Sequence, residues 1–368
     1  MGQVEKFTCF GGGRFARDVF ELSVECALVV CLAIGQMRNL RVLELHFAIQ
    51  EGQRDREGVL WRFLAKGLRS CRALVSVKLE HVGLTRWQDV WLPCLQCRAI
   101  REFATEGIRL DETCTRTIAS WRHLQCLDLG MIAISGCCLL SQVLESAGVS
   151  ERLEVLAIGQ RSWCDDLSIW PDLIGCLSGF RRLRRLVIRH ADLVSGRVPL
   201  LRLPSRVREV VLEGCFSDDA PADPKPGAVW MGWLIAQLAH LEVLDFSVFV
   251  SDECLRIVAD YIPTGALHTL SFACLLTPSV VPVLCELLDR CSCLVSLSFS
   301  ACAIREVCDQ LVLAFNRMAS LREVNFGSSA SLRVHLVPGM LRAGFILSCS
   351  DPIIFLRPAR SVRSPGRS

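Results

Sequence analysis

The sequence predicts an α/β solenoid, with a curved parallel sheet on the concave side and helices on the convex side. One phrase recurs: an apolar residue, two variable ones, an apolar residue, a variable one and an apolar residue, as in LRVLEL from Leu40 and LQCLDL from Leu124. Successive copies start about 28 residues apart. The residues between copies have apolar side chains at helical spacing. A strand and a helix of this size cannot bury their apolar faces alone, so neighbouring units must stack.

The composition supports a large core and limits the kinds of partner. The chain has 368 residues, of which 51% are hydrophobic, which is too rich for a disordered protein. The 41 basic and 38 acidic residues give a net charge of +3, too near balance to favour nucleic acid or an anionic membrane as partner. No apolar run reaches the ~18 to 20 residues of a membrane span. We therefore expect a protein partner, no nucleic acid, no membrane and a monomeric chain.

The 21 cysteines do not predict a disulfide scaffold. Residues 1–14 lack the features of a signal peptide, so an oxidising compartment is not indicated. Many cysteines replace aliphatic residues in patterned segments, as Cys31 and Cys285 do, where a free thiol acts as a small hydrophobe. The pair Cys94 and Cys97 has zinc-like spacing but no second pair or nearby histidines. We predict a cytoplasmic protein with no metal site.

The N-terminal segment 1–37 precedes the first complete copy of the phrase. Residues 15–37 have a helical apolar pattern. The open end of a solenoid would expose core residues to water. We therefore predict that segment 1–37 is a helical cap.

Segment 38–345 is predicted to be an array of about eleven units. In each unit the two alternating inner residues of the strand, such as Leu43 and Leu45, should be buried while their neighbours face solvent. The copies are LRVLEL, LVSVKL, IREFAT, LQCLDL, LEVLAI, LRRLVI, VREVVL, LEVLDF, LHTLSF, LVSLSF and LREVNF. The helical returns between them include residues 59–68, 139–144 and 308–315. One acidic, proline-rich interruption at 217–227 is predicted to be a surface loop.

The C-terminal segment 346–368 is predicted to be a cap remnant followed by a disordered tail. Residues 345–356 are apolar enough to cover the last unit. Beyond them, Arg357, Arg360, Arg363 and Arg367 alternate with Ser and Pro and cannot form a core.

The recurring phrase resembles that of leucine-rich repeat proteins, in particular the ribonuclease-inhibitor-like class with long units. The resemblance covers residues 38–345 and implies a protein-binding solenoid that uses its concave sheet. That family favours Asn or Cys three residues after the last apolar strand position. Cys215 and Cys302 match this preference, whereas Ala48 and Val82 do not.

The first four strands should present an acidic surface on the concave face. The candidate partner-binding residues are Glu44, His46, Lys78, Glu80, Glu102, Glu106 and Asp128. Their five carboxylates and one lysine carry a net charge of minus four. His46, Glu80 and Glu106 should share a row, and carboxylates on adjacent strands repel one another without a cation. The sequence therefore predicts either a site for a Lys- or Arg-bearing partner or a hydrated face on which His46 partly neutralises Glu80.

Two other parts of the concave face differ in character. The unit spacing places Arg185 beside Glu209 and Arg189 beside Glu213, which we interpret as ladder pairs rather than a ligand clamp. The last units present small side chains. Those small residues either allow close approach of a partner or reflect weak selection for size.

No convergent catalytic group emerges from the sequence. The triplet Gly11 to Gly13 lacks the Lys of a phosphate-binding loop, and the seven histidines have no metal-ligand spacing. We therefore predict a non-catalytic scaffold without a cofactor. The alternatives left open are a substrate-recognition adaptor of a ubiquitin ligase and the ligand-sensing portion of an innate-immunity type receptor.

Overall fold

The structure is a computed structural model that describes residues 4–10, 21–46, 48–49, 57–80, 88–96, 98–109, 111–133, 142–145, 147–160, 176–189, 203–213, 225–249, 252–273, 279–299, 308–326, 333–350 and 353–357. The chain forms two compact units. Unit 1 comprises Met1–Ala191 with Pro199–Pro204, and unit 2 comprises Asp192–Val198 with Ser205–Ser368.

Unit 1 alternates strands and helices as the repeating phrase predicts. Its strands are β1 Lys6–Phe10, β2 Glu21–Leu22, β3 Val42–His46, β4 Ala48–Ile49, β5 Ser76–Glu80, β6 Glu102–Thr105, β7 Gly107–Arg109, β8 Cys126–Ala133, β9 Val155–Gln160 and β10 Arg185–Arg189. Its helices are α1 Val24–Gln36, α2 Glu57–Ser70, α3 Gln88–Trp91, a 3-10 turn Leu92–Leu95, α4 Glu112–Ala119 and α5 Ala147–Ser150. Residues 142–145 are also helical.

The strands of unit 1 form a parallel sheet in the order β1, β3, β5, β6, β8, β9, β10. Strand β7 pairs with the end of β8, and β2 pairs separately with β4. The inner residues of successive strands are almost fully buried, including Leu43, Leu45, Val77, Leu79 and Phe103. This confirms the predicted alternation, in which each strand buries one face and leaves the other outward.

Strand β1 was not predicted, because segment 1–37 was interpreted as a helical cap. Val4, Phe7 and Cys9 fit the repeating phrase with the thiol in its last apolar position. Phe7 lies opposite Leu43 and Cys9 opposite Leu45, so β1 extends the parallel sheet by one strand. The N-terminal segment therefore contributes a strand and a helix, like the units that follow.

Helix α1 packs closely against α2. The side chain of Ser23 accepts a hydrogen bond from the Cys26 N–H and caps the first turn. A Cβ atom at Gly67 would lie 3.1 Å from the Cys31 carbonyl oxygen and 3.2 Å from the Gly35 nitrogen. The absence of a side chain at Gly67 thus allows the two helices to approach each other.

Unit 2 repeats the same strand and helix pattern. Its strands are β11 Glu209–Glu213, β12 Val243–Phe249, β13 Thr269–Ala273, β14 Ser296–Phe299, β15 Glu323–Asn325, β16 Ile346–Ser350 and β17 Ile353–Leu356. Its helices are α6 Lys225–Ala236, α7 Asp252–Ala259, α8 Val281–Arg290, α9 Cys308–Arg317 and α10 Arg333–Arg342. The predicted loop 217–227 lies outside the described residues up to position 224, and its last residues begin α6.

The sheet of unit 2 changes direction at its C-terminal end. Strands β11 to β15 are parallel, whereas β17 runs antiparallel to β15 and to β16. The segment predicted to be a cap remnant is therefore a hairpin that completes the sheet. Phe355 of this hairpin is fully buried against Phe326. The predicted tail beyond Arg357 lies outside the described residues.

The core of unit 2 contains a column of aromatic rings, one from each of the four successive strand units of β12 to β15. The ring centroids of Phe246 and Phe272 are 5.7 Å apart, those of Phe272 and Phe299 6.2 Å, and those of Phe299 and Phe326 5.5 Å. The column follows directly from phrases ending in Phe, such as LHTLSF and LVSLSF. Among the residues described in both units, no helix is long and apolar enough to span a bilayer.

Candidate partner-binding surface

The strand register places the candidate residues of unit 1 in adjacent rows. Val42 lies opposite Ser76, Glu44 opposite Lys78, and His46 opposite Glu80. The same rows continue across β5, β6 and β8, where Ser76 faces Glu102 and Glu102 faces Cys126. These backbone positions match the rows expected from the sequence. Side chains alternate between the two faces of every strand with the same period, so equivalent residues of successive units lie side by side.

Glu44 is held by two side chains of β1. The Lys6 ammonium lies 3.3 Å from Glu44 Oε2, and the Thr8 hydroxyl donates to the same oxygen at 3.1 Å. The Glu44 side chain is 22% exposed and that of Lys6 59%, so water still screens this pair. The interpretation of Glu44 as an available carboxylate overlooked β1 and the lysine that β1 supplies.

Asp128 is also satisfied within unit 1. Arg189 on β10 donates to Asp128 Oδ1 at 2.6 Å and to Oδ2 at 3.1 Å, and the two residues form a bidentate ion pair. The two residues lie on opposite sides of β9, whose aligned residues there are Ala157 and Gly159. Those small residues leave room for the arginine to reach across a strand. The Gly130 N–H also donates to Asp128 Oδ1 at 3.0 Å.

Glu102 is an exposed carboxylate with a hydroxyl partner. Ser76 Oγ donates to Glu102 Oε2 at 2.9 Å. Cys126 lies opposite Glu102 in the register, and burial followed by the charges of Asp128 and Glu102 raises the pKa of its thiol to about 11. The thiol is therefore protonated at neutral pH and is a poor nucleophile.

The third predicted row contains His46, Glu80 and Glu106. His46 is half-buried, and its Cα lies opposite that of Glu80, whose side chain is outside the described part of the chain. Glu106 is exposed and lies one residue beyond β6. Its N–H donates to the Leu79 carbonyl oxygen at 3.2 Å, which continues the ladder past the strand end. The backbone thus brings Glu106 alongside Glu80.

Lys6 and Arg189 change the charge of the surface. With these two cations, the predicted net charge of minus four becomes minus two. Glu44 and Asp128 each have a basic partner within unit 1. The position of Lys6 on this surface is predictable from the sequence, because Val4, Phe7 and Cys9 fit the repeating phrase and so place Lys6 at an outward position of the first row. The Arg189 contact had no such signal, since it crosses an intervening strand.

The outward face of unit 2 has smaller side chains. Thr269 lies opposite Ser296, and Ser271 lies opposite Ser298. Ser298 in turn lies opposite Asn325. These five residues are all half-buried, and they occupy the outward positions that the sequence predicts.

The repeated strand and helix units on parallel sheets define a leucine-rich repeat solenoid. The crystal structure of the Rad7 and Elc1 complex in yeast is similar, with a TM-score of 0.50 and 16% identity over 82% of this chain and 72% of that chain. A leucine-rich repeat protein of Leptospira interrogans aligns with 11% identity over 80% of this chain and 74% of that chain, with a TM-score of 0.31. No family model and no curated protein sequence matches the chain. At these identities the likeness concerns the fold.

Proposed function

We propose that this protein is a non-catalytic scaffold that binds a protein partner through the outward face of its sheet. The observation that carries the proposal is the registered set of outward rows on β3, β5, β6 and β8, where charged side chains stand at fixed positions. Binding to a rigid sheet costs less conformational entropy than binding to a surface loop that must become ordered first. The surface is therefore suited to recognition.

The chemistry of this face favours a partner segment that carries Lys or Arg. Glu102 and Glu106 are both exposed carboxylates of this face. Opposite charges on a partner would speed association and fix its register more than they would add affinity. We assign the specificity role to Glu80, Glu102 and Glu106, with His46 and Lys78 beside them in the register.

We further propose membership of the ribonuclease-inhibitor-like class and a reducing, cytoplasmic location. The unit spacing of about 28 residues supports the class. The cysteines whose side chains the structure describes, Cys31 and Cys114 among them, are free thiols, and burial raises the pKa of these two to about 12. Thiols of this kind serve as core side chains, which is the ordinary use of cysteine in a reducing compartment.

The test is a comparison of bound partners for the intact protein and two charge-reversal variants. Glu80→Arg with Glu106→Arg alters the proposed face. The matched control, Glu286→Arg with Asp309→Arg, makes the same charge change at exposed positions of α8 and α9. Partners are captured from cytosolic extract, identified by mass spectrometry, and then titrated as purified proteins against each variant.

We expect a partner whose affinity falls by about tenfold or more with the face variant and stays within about twofold with the control. Circular dichroism and thermal unfolding establish that both variants are folded. Equal partner lists and equal affinities for the two variants would refute binding at this face.

The two alternative functions remain predictions with distinct outcomes in the same experiment. A ubiquitin-ligase adaptor would bring ligase subunits down with every variant that folds. A receptor portion would require a nucleotide-binding module in the same polypeptide, which a longer transcript would reveal. A scaffold predicts neither result.

A further inference from the structure

A second surface of unit 1 lies where the chain enters each strand. Hydrogen bonds just before the strands align successive units: the Val75 N–H donates to the Arg41 carbonyl at 2.8 Å, and the Arg101 N–H donates to the Val75 carbonyl at 2.8 Å. The series continues through Gln125, Glu154 and Arg184. Residues at the same offset from these positions therefore occupy equivalent places in successive units.

Arginine fills one of these offsets almost throughout unit 1. Three residues before each aligned position, in the connection that leads into the strand, are Arg38, Arg72, Arg98, Arg122, Glu151 and Arg181. We call these six positions the arginine row. The tetrapeptides that begin at them are RNLR, RALV, RAIR, RHLQ, ERLE and RRLR, with ten arginines and two glutamates. Their net charge is +8 in a chain whose total is +3, so the remainder is net acidic.

Most of the arginine row has no internal carboxylate partner. Arg98 is half-buried, and its Nη2 donates to the Arg69 carbonyl oxygen at 3.0 Å. The side chains of Arg38, Arg72, Arg122 and Arg181 are exposed, and within the described part of unit 1 none of the four forms an ion pair. The folded unit thus leaves this positive charge available to a partner.

Helix geometry alone does not explain the row. Arg38, Arg72 and Arg122 follow the C-terminal ends of α1, α2 and α4, where a cation is favoured by the helix dipole. In unit 2, helices α6, α7, α8 and α9 end just before the equivalent connections, which have the same aligning hydrogen bonds. Its equivalent residues are nevertheless Ser205, Ala239, Gly265, Ser292 and Ala319. A repeat with these helix ends and hydrogen bonds therefore forms without an arginine at this position.

We propose that the arginine row binds an extended acidic segment of a partner protein. Arginine presents a planar fork that pairs with a carboxylate through two hydrogen bonds. Glu151 and Glu154 interrupt the row between Arg122 and Arg181. A polymer with a phosphate at every residue would be repelled there, whereas a polypeptide can place a neutral or basic side chain opposite them. The surface is distinct from the outward sheet face, and the proposal does not depend on binding at that face.

The experiment measures binding of a labelled glutamate peptide of about 20 residues, whose central stretch of about six residues is Gly and Ser so that it can lie opposite Glu151 and Glu154, and which is called oligo-glutamate below. Binding to the full chain is followed by fluorescence anisotropy, at about 150 mM salt so that weak long-range attraction is screened. Arg72→Glu with Arg122→Glu reverses two exposed positions of the row. Arg206→Glu with Arg322→Glu is the matched control in unit 2, where both arginines are exposed and have no ion pair among the described residues. Both variants carry a net charge of minus one.

We expect the row variant to weaken oligo-glutamate binding by about tenfold and the control to change it by less than about twofold. Equal weakening by both variants would mean general charge attraction and would overturn the proposal, as would an intact protein that does not bind oligo-glutamate. If the charge-reversal variant does not fold, Arg72→Gln with Arg122→Gln takes its place. This variant removes the charge without reversing it and should also weaken oligo-glutamate binding.

A second probe separates polypeptide from nucleic acid. Oligo-thymidylate of about 20 nucleotides should bind the intact protein weakly and lose the same affinity with either variant. Glu151→Arg, which completes the row, should strengthen oligo-thymidylate binding severalfold. Tight oligo-thymidylate binding that only the row variant abolishes would instead assign the row to nucleic acid, and selective capture of phosphatidylserine vesicles would assign it to a membrane surface.

Discussion

Gln88 is a buried polar residue whose side-chain amide hydrogen-bonds to the backbone of Arg109, as the backbone of a neighbouring strand would. Its Nε2 donates to the Arg109 carbonyl oxygen and, at 2.9 Å, to Asp111 Oδ2. The Arg109 N–H donates to Gln88 Oε1 at 2.8 Å. Asp111 also accepts from the Cys114 N–H at 2.8 Å and so caps α4. One amide therefore ties β7 to the start of the next helix, and a buried amide of this kind is costly to leave unpaired.

The charge of Asp111 makes this network sensitive to pH. Burial acts to raise the pKa of Asp111, but hydrogen bonds from the Cys114 N–H and from Gln88, with the charge of Arg109, leave it below its ordinary value. The unfolded chain therefore takes up the proton first as pH falls. The stability that ionised Asp111 contributes is present above about pH 4 and is lost as pH falls through the lower folded-state pKa.

We predict that Asp111→Asn lowers the free energy of unfolding by about 1 kcal/mol at pH 7. The Asn carbonyl still caps the helix, but the side chain has no charge and its NH2 group cannot accept the hydrogen bond from Gln88 Nε2. The difference from the unmodified protein should shrink below about pH 4, as measured by urea unfolding at a series of pH values. Glu112→Gln is the control, since Glu112 is exposed and pairs only with Arg116 at the helix surface. A difference that does not change with pH would contradict the assignment.

At the scale of elements, the patterned strands and helices were predictable, and the two ends were not. Strand β1 is not apparent from the pattern because Cys9 ends its copy of the phrase, where most other units have Leu, Ile or Phe. The antiparallel hairpin of β16 and β17 was missed because apolar alternation has the same period in both strand directions. The N-terminal and C-terminal segments both add strands to the sheet, and neither covers it with a helix alone.

Strand β1 is expected to stabilise the edge of the sheet that β3 would otherwise form. Phe7→Asp puts a charge at a half-buried position facing the inner side of the sheet, opposite Leu43. The variant should lose about 2 kcal/mol of stability and release β1, because a carboxylate there loses its hydration without a partner. Hydrogen exchange of the β3 amides should accelerate.

Lys6→Gln is the matched change on the outward side of the same strand. It removes a screened surface ion pair, which contributes less than about 1 kcal/mol. Protection of β3 that is unaltered by Phe7→Asp would show that β1 does not stabilise the sheet edge.

At the scale of the whole molecule, stability comes from contacts between neighbouring repeats. The rings of Phe272, Phe299 and Phe326 stack across three successive strands of unit 2, and all three are fully buried. Each unit in such an array is stabilised mainly by the next one. A cavity in the middle of the column should therefore weaken two interfaces together.

We predict that Phe299→Ala lowers the free energy of unfolding by about 3 to 5 kcal/mol, because it removes a buried ring and leaves a cavity. Phe299→Leu keeps most of the volume and should cost less than about 2 kcal/mol. Chemical denaturation measures both changes, and hydrogen exchange should show the largest loss of protection in β13, β14 and β15. Similar costs for the two substitutions would argue against the column as a source of stability.

The repeat, the unit length and the outward positions of the strands can be predicted from the amino-acid pattern, because they depend on local periodicity of apolar side chains. Which outward charges meet depends on the folded arrangement of the strands. Lys6 and Glu44 are 38 residues apart in the chain, and Asp128 and Arg189 are 61 apart. Their contacts depend on strand order, and the second depends on Ala157 and Gly159 being small enough for an arginine to pass over β9. No local pattern contains that information, since it arises only when separate units are brought into register.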